Sequence, residues 1–165
     1  MGDDVLNGGS GNDQLYGDMG SDTYIFGLGS GTDTVQDWGV PTETDTVFVM
    51  SGVTPTALFV TQGGTDNPGG LILRLAHSND QLIIQNYNSI EQIQFADGTV
   101  WDAAAIQARL QQGQTGTAGT DSLSGGSQGD YLQGLGGDDF LYGGDGQDAL
   151  MGGAGSDSLQ GVWGS

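Results

Sequence analysis

The sequence predicts an all-β fold: two blocks of parallel β-roll flanking a small strand-rich middle segment that ends in one short helix. Three observations predict it. An Asp recurs every nine residues towards both ends of the chain, an apolar residue stands two positions after each such Asp, and a Gly-rich stretch precedes it. Gly accounts for 33 of the 165 residues, far above an average usage of about 7%.

The first block covers residues 1–36. Asp4, Asp13 and Asp22 are followed by Leu6, Leu15 and Tyr24, and a two-residue slip at Phe26-Gly27 admits a looser unit with Asp33 and Val35. Residues 37–114 read differently. Short β-branched and aromatic runs at 46–50, 58–60, 71–75, 81–84 and 90–95 are punctuated by Gly, Pro, Asn and Asp, the pattern of several short strands. A tight turn is expected at Ala96-Asp97-Gly98-Thr99. A helix near 102–112 follows, with Asp102 as N-cap and Gly113 as stop signal. Gln111–Ala118 reads as a linker. The last block, residues 115–165, keeps strict register: Asp121, Asp130, Asp139, Asp148 and Asp157, each followed two residues on by Leu.

Charge narrows the function. Lys and Arg number 2 against 21 Asp and Glu, a formal net charge of -19. A nucleic-acid binder needs a cationic surface to displace counterions, so nucleic-acid partners are excluded, and docking onto an anionic membrane is disfavoured for the same reason. No apolar run approaches the ~20 residues of a membrane span. The N-terminus lacks a basic n-region followed by an apolar h-region and begins mid-motif, as a piece of a larger parent chain would. Cys is absent, so disulfides cannot offset the repulsion of the acids.

The pattern Gly-Gly-x-Gly-x-Asp-x-apolar-x, clearest in GGSGNDQLY (8–16) and GGDGQDALM (143–151), resembles the nonapeptide repeat of the RTX, or haemolysin-type, calcium-binding family. The stretch IEQIQFADGTVWDAAAI (90–106) resembles the haemolysin-type calcium-binding related domain that sits between such blocks.

The residue types themselves point to a metal. Gly permits the sharp turn, and the x-apolar-x tripeptide is a strand about 10 Å long. Two units make one coil of eighteen residues, with the apolar side chains pointing inward. Stacked coils place each Asp over the Asp two repeats earlier, where two carboxylates repel unless a cation lies between them. An all-oxygen site without Cys, and with His77 as the single His, favours Ca²⁺ over Zn²⁺ or Cu²⁺. The expected pairs are Asp121/Asp139, Asp130/Asp148, Asp139/Asp157, Asp4/Asp22 and Asp13/Asp33, giving three sites in the last block and one or two in the first.

The family resemblance implies further ligands, the carbonyls of loop positions 1 and 3 below and 2 and 4 above. In the last block the lower-loop carbonyls are those of Gly116 and Ala118, Gly125 and Ser127, and Gly134 and Gly136. The upper-loop ones are those of Leu135 and Gly137, Gly144 and Gly146, and Gly153 and Gly155. In the first block they are Gly8 and Ser10 below, with Asp18 and Gly20 or Gly29 and Gly31 above. Thr117 and Gln128 replace glycines only in loops with no repeat beneath them. Asp3, Asp18, Asp138 and Asp145 read as surface charges.

No catalytic residues are expected. His77 reads as a surface turn residue, and no Ser sits in a Gly-x-Ser-x-Gly setting. The expected function is a non-catalytic calcium-binding module of a larger secreted protein that is disordered in its flanks without calcium. The resemblance adds type I secretion and folding in the calcium-rich extracellular medium. The alternative is a carbohydrate- or surface-binding, adhesin-like module whose recognition lies in residues 37–114. There an exposed row from Trp38, Tyr87, Phe95 and Trp101 would carry a polysaccharide or cell-surface ligand.

Overall fold

A computed structural model of the chain describes residues 2–38, 42–63, 69–76, 78–86, 89–110, 113–127, 129–146 and 148–161. His77, Tyr87 and Gln128 lie outside the described residues. The chain forms two compact units, Met1–Ala108 and Arg109–Ser165.

The second unit is the simpler. β11 (Gly113–Thr115), β13 (Tyr131–Gly136) and β15 (Ala149–Ala154) form one parallel sheet; β12 (Ser122–Ser124), β14 (Phe140–Tyr142) and β16 (Ser158–Gln160) form another. Residues eighteen apart pair throughout, as in Leu123 with Leu141 and Leu141 with Leu159. The expected coil length follows from that register. Leu132 and Leu141 are fully buried between the sheets, whereas Leu159 is 46% exposed, because inward side chains are covered only where coils lie on both sides. The expected linker Gln111–Ala118 instead contains β11. Its Gly113, Gln114 and Thr115 pair with Tyr131, Leu132 and Gln133, a distant partner that local composition does not reveal.

In the first unit, β1 (Val5–Leu6), β3 (Thr23–Phe26), β5 (Thr46–Val49) and β9 (Gln92–Phe95) run parallel, and β10 (Val100–Asp102) closes the sheet antiparallel to β9. The facing sheet places β2 (Gln14–Asp18), β4 (Thr32–Asp37) and β8 (Gln81–Ile84) parallel. It ends in an antiparallel hairpin, β6 (Leu58–Gln62) and β7 (Leu71–Leu75). Val5 pairs with Thr23, Gln14 with Thr34, Thr23 with Thr46, and Thr46 with Gln92. Successive coils therefore lengthen while the roll continues. The boundary expected at residues 36/37 does not separate compact bodies here: strands from both sides of it share both sheets.

The core follows the alternation of the strands: Tyr24, Phe26, Val35, Val47, Val49, Leu73, Leu82, Ile93 and Phe95 are all buried. Trp101 stacks edge-on against Phe95, ring centres 4.8 Å apart. α1 (Ala103–Leu110) follows; the Asp102 carboxylate accepts from the Ala105 N–H at 2.8 Å, the expected N-cap. No described helix is long and apolar enough to cross a membrane.

The uneven core predicts an uneven response to truncation. Leu141→Ala should cost about 2–5 kcal/mol, while Leu159→Ala should cost under about 1 kcal/mol. Denaturant unfolding of the two variants checks the contrast.

Candidate metal centre

Each coil of the roll presents an Asp at the start of a strand, and the structure links these Asp residues into ladders. The Asp139 carboxylate accepts from the Asp121 N–H at 2.8 Å through Oδ1, Asp148 from Asp130 at 3.0 Å, and Asp157 from Asp139 at 3.0 Å. In the first unit Asp22 accepts from the Asp4 N–H at 2.8 Å and Asp33 from the Asp13 N–H at 3.0 Å. All five expected pairs are thus brought together, including Asp13 and Asp33, twenty residues apart.

Only one oxygen of each upper carboxylate is used in this way. The Oδ2 atoms of Asp13, Asp22, Asp33 and Asp139 are buried and have no hydrogen-bond partner. A buried carboxylate oxygen without a partner is costly, so these atoms fit a ligand role. The acids are packed among like charges: Asp22 and Asp33 are fully buried, and Asp130 and Asp139 nearly so. Burial pushes the Asp22, Asp33 and Asp130 carboxyls up, against the hydrogen bonds they accept, and neighbouring carboxylates push them further.

The loop backbone is shaped around the same oxygens. A Cβ on Gly134, Gly143 or Gly152 would collide with the Oδ2 of the Asp five residues later. Positions 2 and 4 of the stacked loops take positive φ: Gly144 89°, Gly146 123°, Gly153 101° and Gly155 136°, with Leu135 at 77° and Asp18 at 66° as the non-Gly cases. In the lowest loops of the second unit the backbone is different. Thr117 and Gly126 do not take positive φ, and their N–H groups donate to Asp121 Oδ2 at 2.7 Å and Asp130 Oδ2 at 2.6 Å. That explains why a Thr is tolerated at position 117: this loop, the first of its stack within the second unit, satisfies its own carboxylate.

Sequence reasoning missed the ladder's continuation. Asp45 accepts from the Asp22 N–H at 2.7 Å, and Glu91 accepts from the Asp45 N–H at 2.7 Å. Asp45 and Val47, like Glu91 and Ile93, keep the acid-x-apolar half of the repeat without its glycines, which is the signal that could have found them. Burial and the Asp37, Glu91 and Asp22 charges push the Asp45 carboxyl up to about 7, despite the hydrogen bond from Asp22.

The other ladder ends differently. Asp80 accepts from the Gly29 and Gly31 N–H groups at 3.0 and 2.7 Å. Burial raises its carboxyl, but these bonds and the Ser78 hydroxyl outweigh it, and the net shift is downward. The Gly31 carbonyl, one of the expected ligands, also accepts from the Gln81 N–H at 2.8 Å.

Two of the expected surface charges form rungs of their own: Asp3 accepts from the Ser21 N–H at 2.9 Å and Asp138 from the Ser156 N–H at 2.8 Å. Of the aromatic residues expected to stack on a ligand, Phe95 and Trp101 are core residues and Trp38 is 68% exposed.

The model for the RTX calcium-binding nonapeptide repeat matches residues 1–35, 115–150, 124–159 and 145–164, together more than half of the chain. This chain belongs to the RTX calcium-binding repeat family. The haemolysin-type calcium binding protein related domain matches residues 71–105, which covers β7 to β10 and the start of α1. The iron-regulated protein FrpA of Neisseria meningitidis serogroup C is 38% identical over 110 residues, 61% of this chain and 9% of that protein. The RTX chain also aligns with the extracellular lipase LipA from Serratia marcescens at 20% identity and a TM-score of 0.30, over 96% of this chain and 27% of that one. It therefore spans about a tenth of the curated relative and about a quarter of the lipase.

Two outcomes are expected from this geometry. A Cβ on Gly153 would collide with the Leu135 carbonyl at a positive φ, whereas one on Gly126 meets nothing closer than 3.9 Å. Gly153→Ala should therefore cost about 1–3 kcal/mol and Gly126→Ala under about 0.5 kcal/mol, read by thermal unfolding.

The second outcome concerns pH. In chelator, the raised carboxyls of Asp22, Asp33 and Asp45 hold protons more tightly folded than unfolded. The Asp45 contribution is full below the ordinary carboxylate range and is lost as pH rises through about 7, and those of Asp22 and Asp33 are lost in the same direction. Far-UV circular dichroism in chelator should show more β signal at pH 5 than at pH 8, because protons then neutralise acids that calcium neutralises otherwise; a flat or rising profile contradicts the assignment.

Proposed function

We propose that this RTX chain is a non-catalytic calcium-binding module of a larger secreted protein, one that gains its fold when it meets calcium outside the cell. The observation that carries the reading is the set of buried, unpartnered Oδ2 atoms on the Asp ladder. In the second unit Asp121, Asp130, Asp139, Asp148 and Asp157 would hold the ions between coils. In the first, Asp4, Asp13, Asp22 and Asp33 would do so. Backbone carbonyls of the loops would complete an oxygen set of the size Ca²⁺ takes. Bound calcium would supply the positive charge that stacked carboxylates lack.

The chain's own residues explain why folding is conditional. Without a counter-charge, each added coil buries another Asp beside the one below it, and a core of one Leu or aromatic residue per repeat offsets little of that repulsion. With a per-site affinity near ~10⁻⁴ M and about 1 mM calcium, each site contributes about 1.4 kcal/mol. At the ~10⁻⁷ M of a cell interior this contribution vanishes. A chain that stays unfolded inside the cell and orders outside it suits threading through a type I secretion channel. FrpA and the lipase LipA are each far longer than this segment; a parent of that kind would carry any catalytic activity elsewhere.

The test is a calcium titration of the chelator-treated chain followed by far-UV circular dichroism, with magnesium as control. A cooperative gain of β signal with calcium and none with magnesium is expected, and Asp139→Asn, which alters two pairs at once, should move the midpoint to several-fold higher calcium. A native-like spectrum in chelator that calcium leaves unchanged would sink the proposal.

A further inference from the structure

One repeat carboxylate meets two from outside the nonapeptide register in the first unit. Asp22 immediately precedes β3, Asp45 immediately precedes β5, and Asp37 ends β4 in the facing sheet. Each offers a carboxylate oxygen, and these oxygens lie within 4.8 Å of one another. Their residues are 0%, 1% and 3% exposed. Asp37 occupies no repeat position: it follows Asp33 by four residues and belongs to no Gly-rich loop.

A second observation points into this cluster. Asp22 Oδ1 already accepts from the Asp4 N–H, but Asp22 Oδ2 is buried and has no hydrogen-bond partner. It faces the spot where Gly17 lacks a side chain. A Cβ there would collide with both Asp22 Oδ2 and the Tyr24 hydroxyl, so these two oxygens meet at one small opening. The Tyr24 hydroxyl in turn donates to Asp37 Oδ2, which turns the Asp37 carboxylate towards the same place. Asp45 is anchored independently, accepting from the Asp22 N–H through Oδ1.

From this convergence we infer that Asp22, Asp37 and Asp45 form an additional divalent-cation site, with the Tyr24 hydroxyl holding Asp37 in place. The donor set is all oxygen, which selects a hard cation, and three buried carboxylates suit calcium better than the smaller, water-retaining magnesium. Asp37 would supply what the Gly-rich loops supply elsewhere, since Thr44 and Glu43 stand before Asp45 where the repeat has Gly at position 4. The site goes beyond the repeat reading because its third carboxylate is not a repeat residue, and it can fail while the repeat sites stand.

The test uses the full chain and calcium itself. Calcium bound per chain is counted by native mass spectrometry for the unsubstituted chain and for Asp37→Asn, and Tm is measured at a low and at a saturating calcium concentration. The expected result is one calcium fewer in Asp37→Asn. Its calcium-induced rise in Tm between the two concentrations should be smaller than that of the unsubstituted chain. An unchanged count with an unchanged calcium-induced rise overturns the inference; the cluster is then a proton-sharing one.

Should Asp37→Asn not fold, crystals of the unsubstituted chain grown with calcium and soaked in terbium decide. Anomalous density among the three carboxylates supports the site, and filled repeat loops with none there overturn it. A chain that binds no calcium at all overturns the repeat reading as well, a separate result from loss of this site alone.

Discussion

Everything in this molecule depends on one hydrogen bond repeated from coil to coil: a carboxylate oxygen of one Asp accepting the backbone N–H of the Asp a coil earlier. Asp139 and Asp121 show it at 2.8 Å, Asp22 and Asp4 at 2.8 Å, and Asp45 and Asp22 at 2.7 Å. The bond fixes the vertical spacing of the loops and the rotamer of the acid together. It also uses up one oxygen and directs the other into a space lined by backbone, where Gly134 or Gly152 leaves no side chain. A structural bond thereby creates a chemical requirement that the protein alone does not meet, since buried anionic oxygens need a donor or a cation.

The first unit shows how far this rule can be stretched. Coil length grows from Val5–Thr23 to Thr23–Thr46 and then to Thr46–Gln92, while the strands remain parallel and in register. The added residues form the β6–β7 hairpin, which extends the facing sheet beyond β8, and the chain then runs through β8 back to β9 beside β5. The acid at the strand start survives the lengthening as Asp45 and Glu91. On the facing sheet it does not: Asp80 turns instead to the N–H groups of Gly29 and Gly31, a plug made from the same residue type as the ladder.

Much of this was legible in the sequence because the repeat is a local code. The nine-residue period gave the strands, their inward residues and the pairs Asp121/Asp139, Asp130/Asp148 and Asp139/Asp157, since Gly, Asp and Leu each have a separate physical task within one loop. What escaped was non-local. Gly113–Thr115 looks like a linker, and becomes a strand only because Tyr131–Gln133 lies alongside it. Asp45 and Glu91 lack the preceding glycines, so their membership of the ladder is visible only in the pairing of β3, β5 and β9. Asp37 is further still from the pattern: its meeting with Asp22 is a product of two sheets facing each other, which no single-strand period encodes.

The lowest loops of the second unit answer their own carboxylates through Thr117 and Gly126, whereas the Asp amide of each lower coil is completed by a carboxylate of the coil above it. The two ends of the array are therefore chemically unlike. Along the Asp ladder a carboxylate completes the amide of its predecessor, while Asp3 and Asp138 reach the other way, to the Ser21 and Ser156 amides. A coil on the N-terminal side still has an Asp amide waiting for the acid of the next, so neighbouring coils complete one another and none is finished alone.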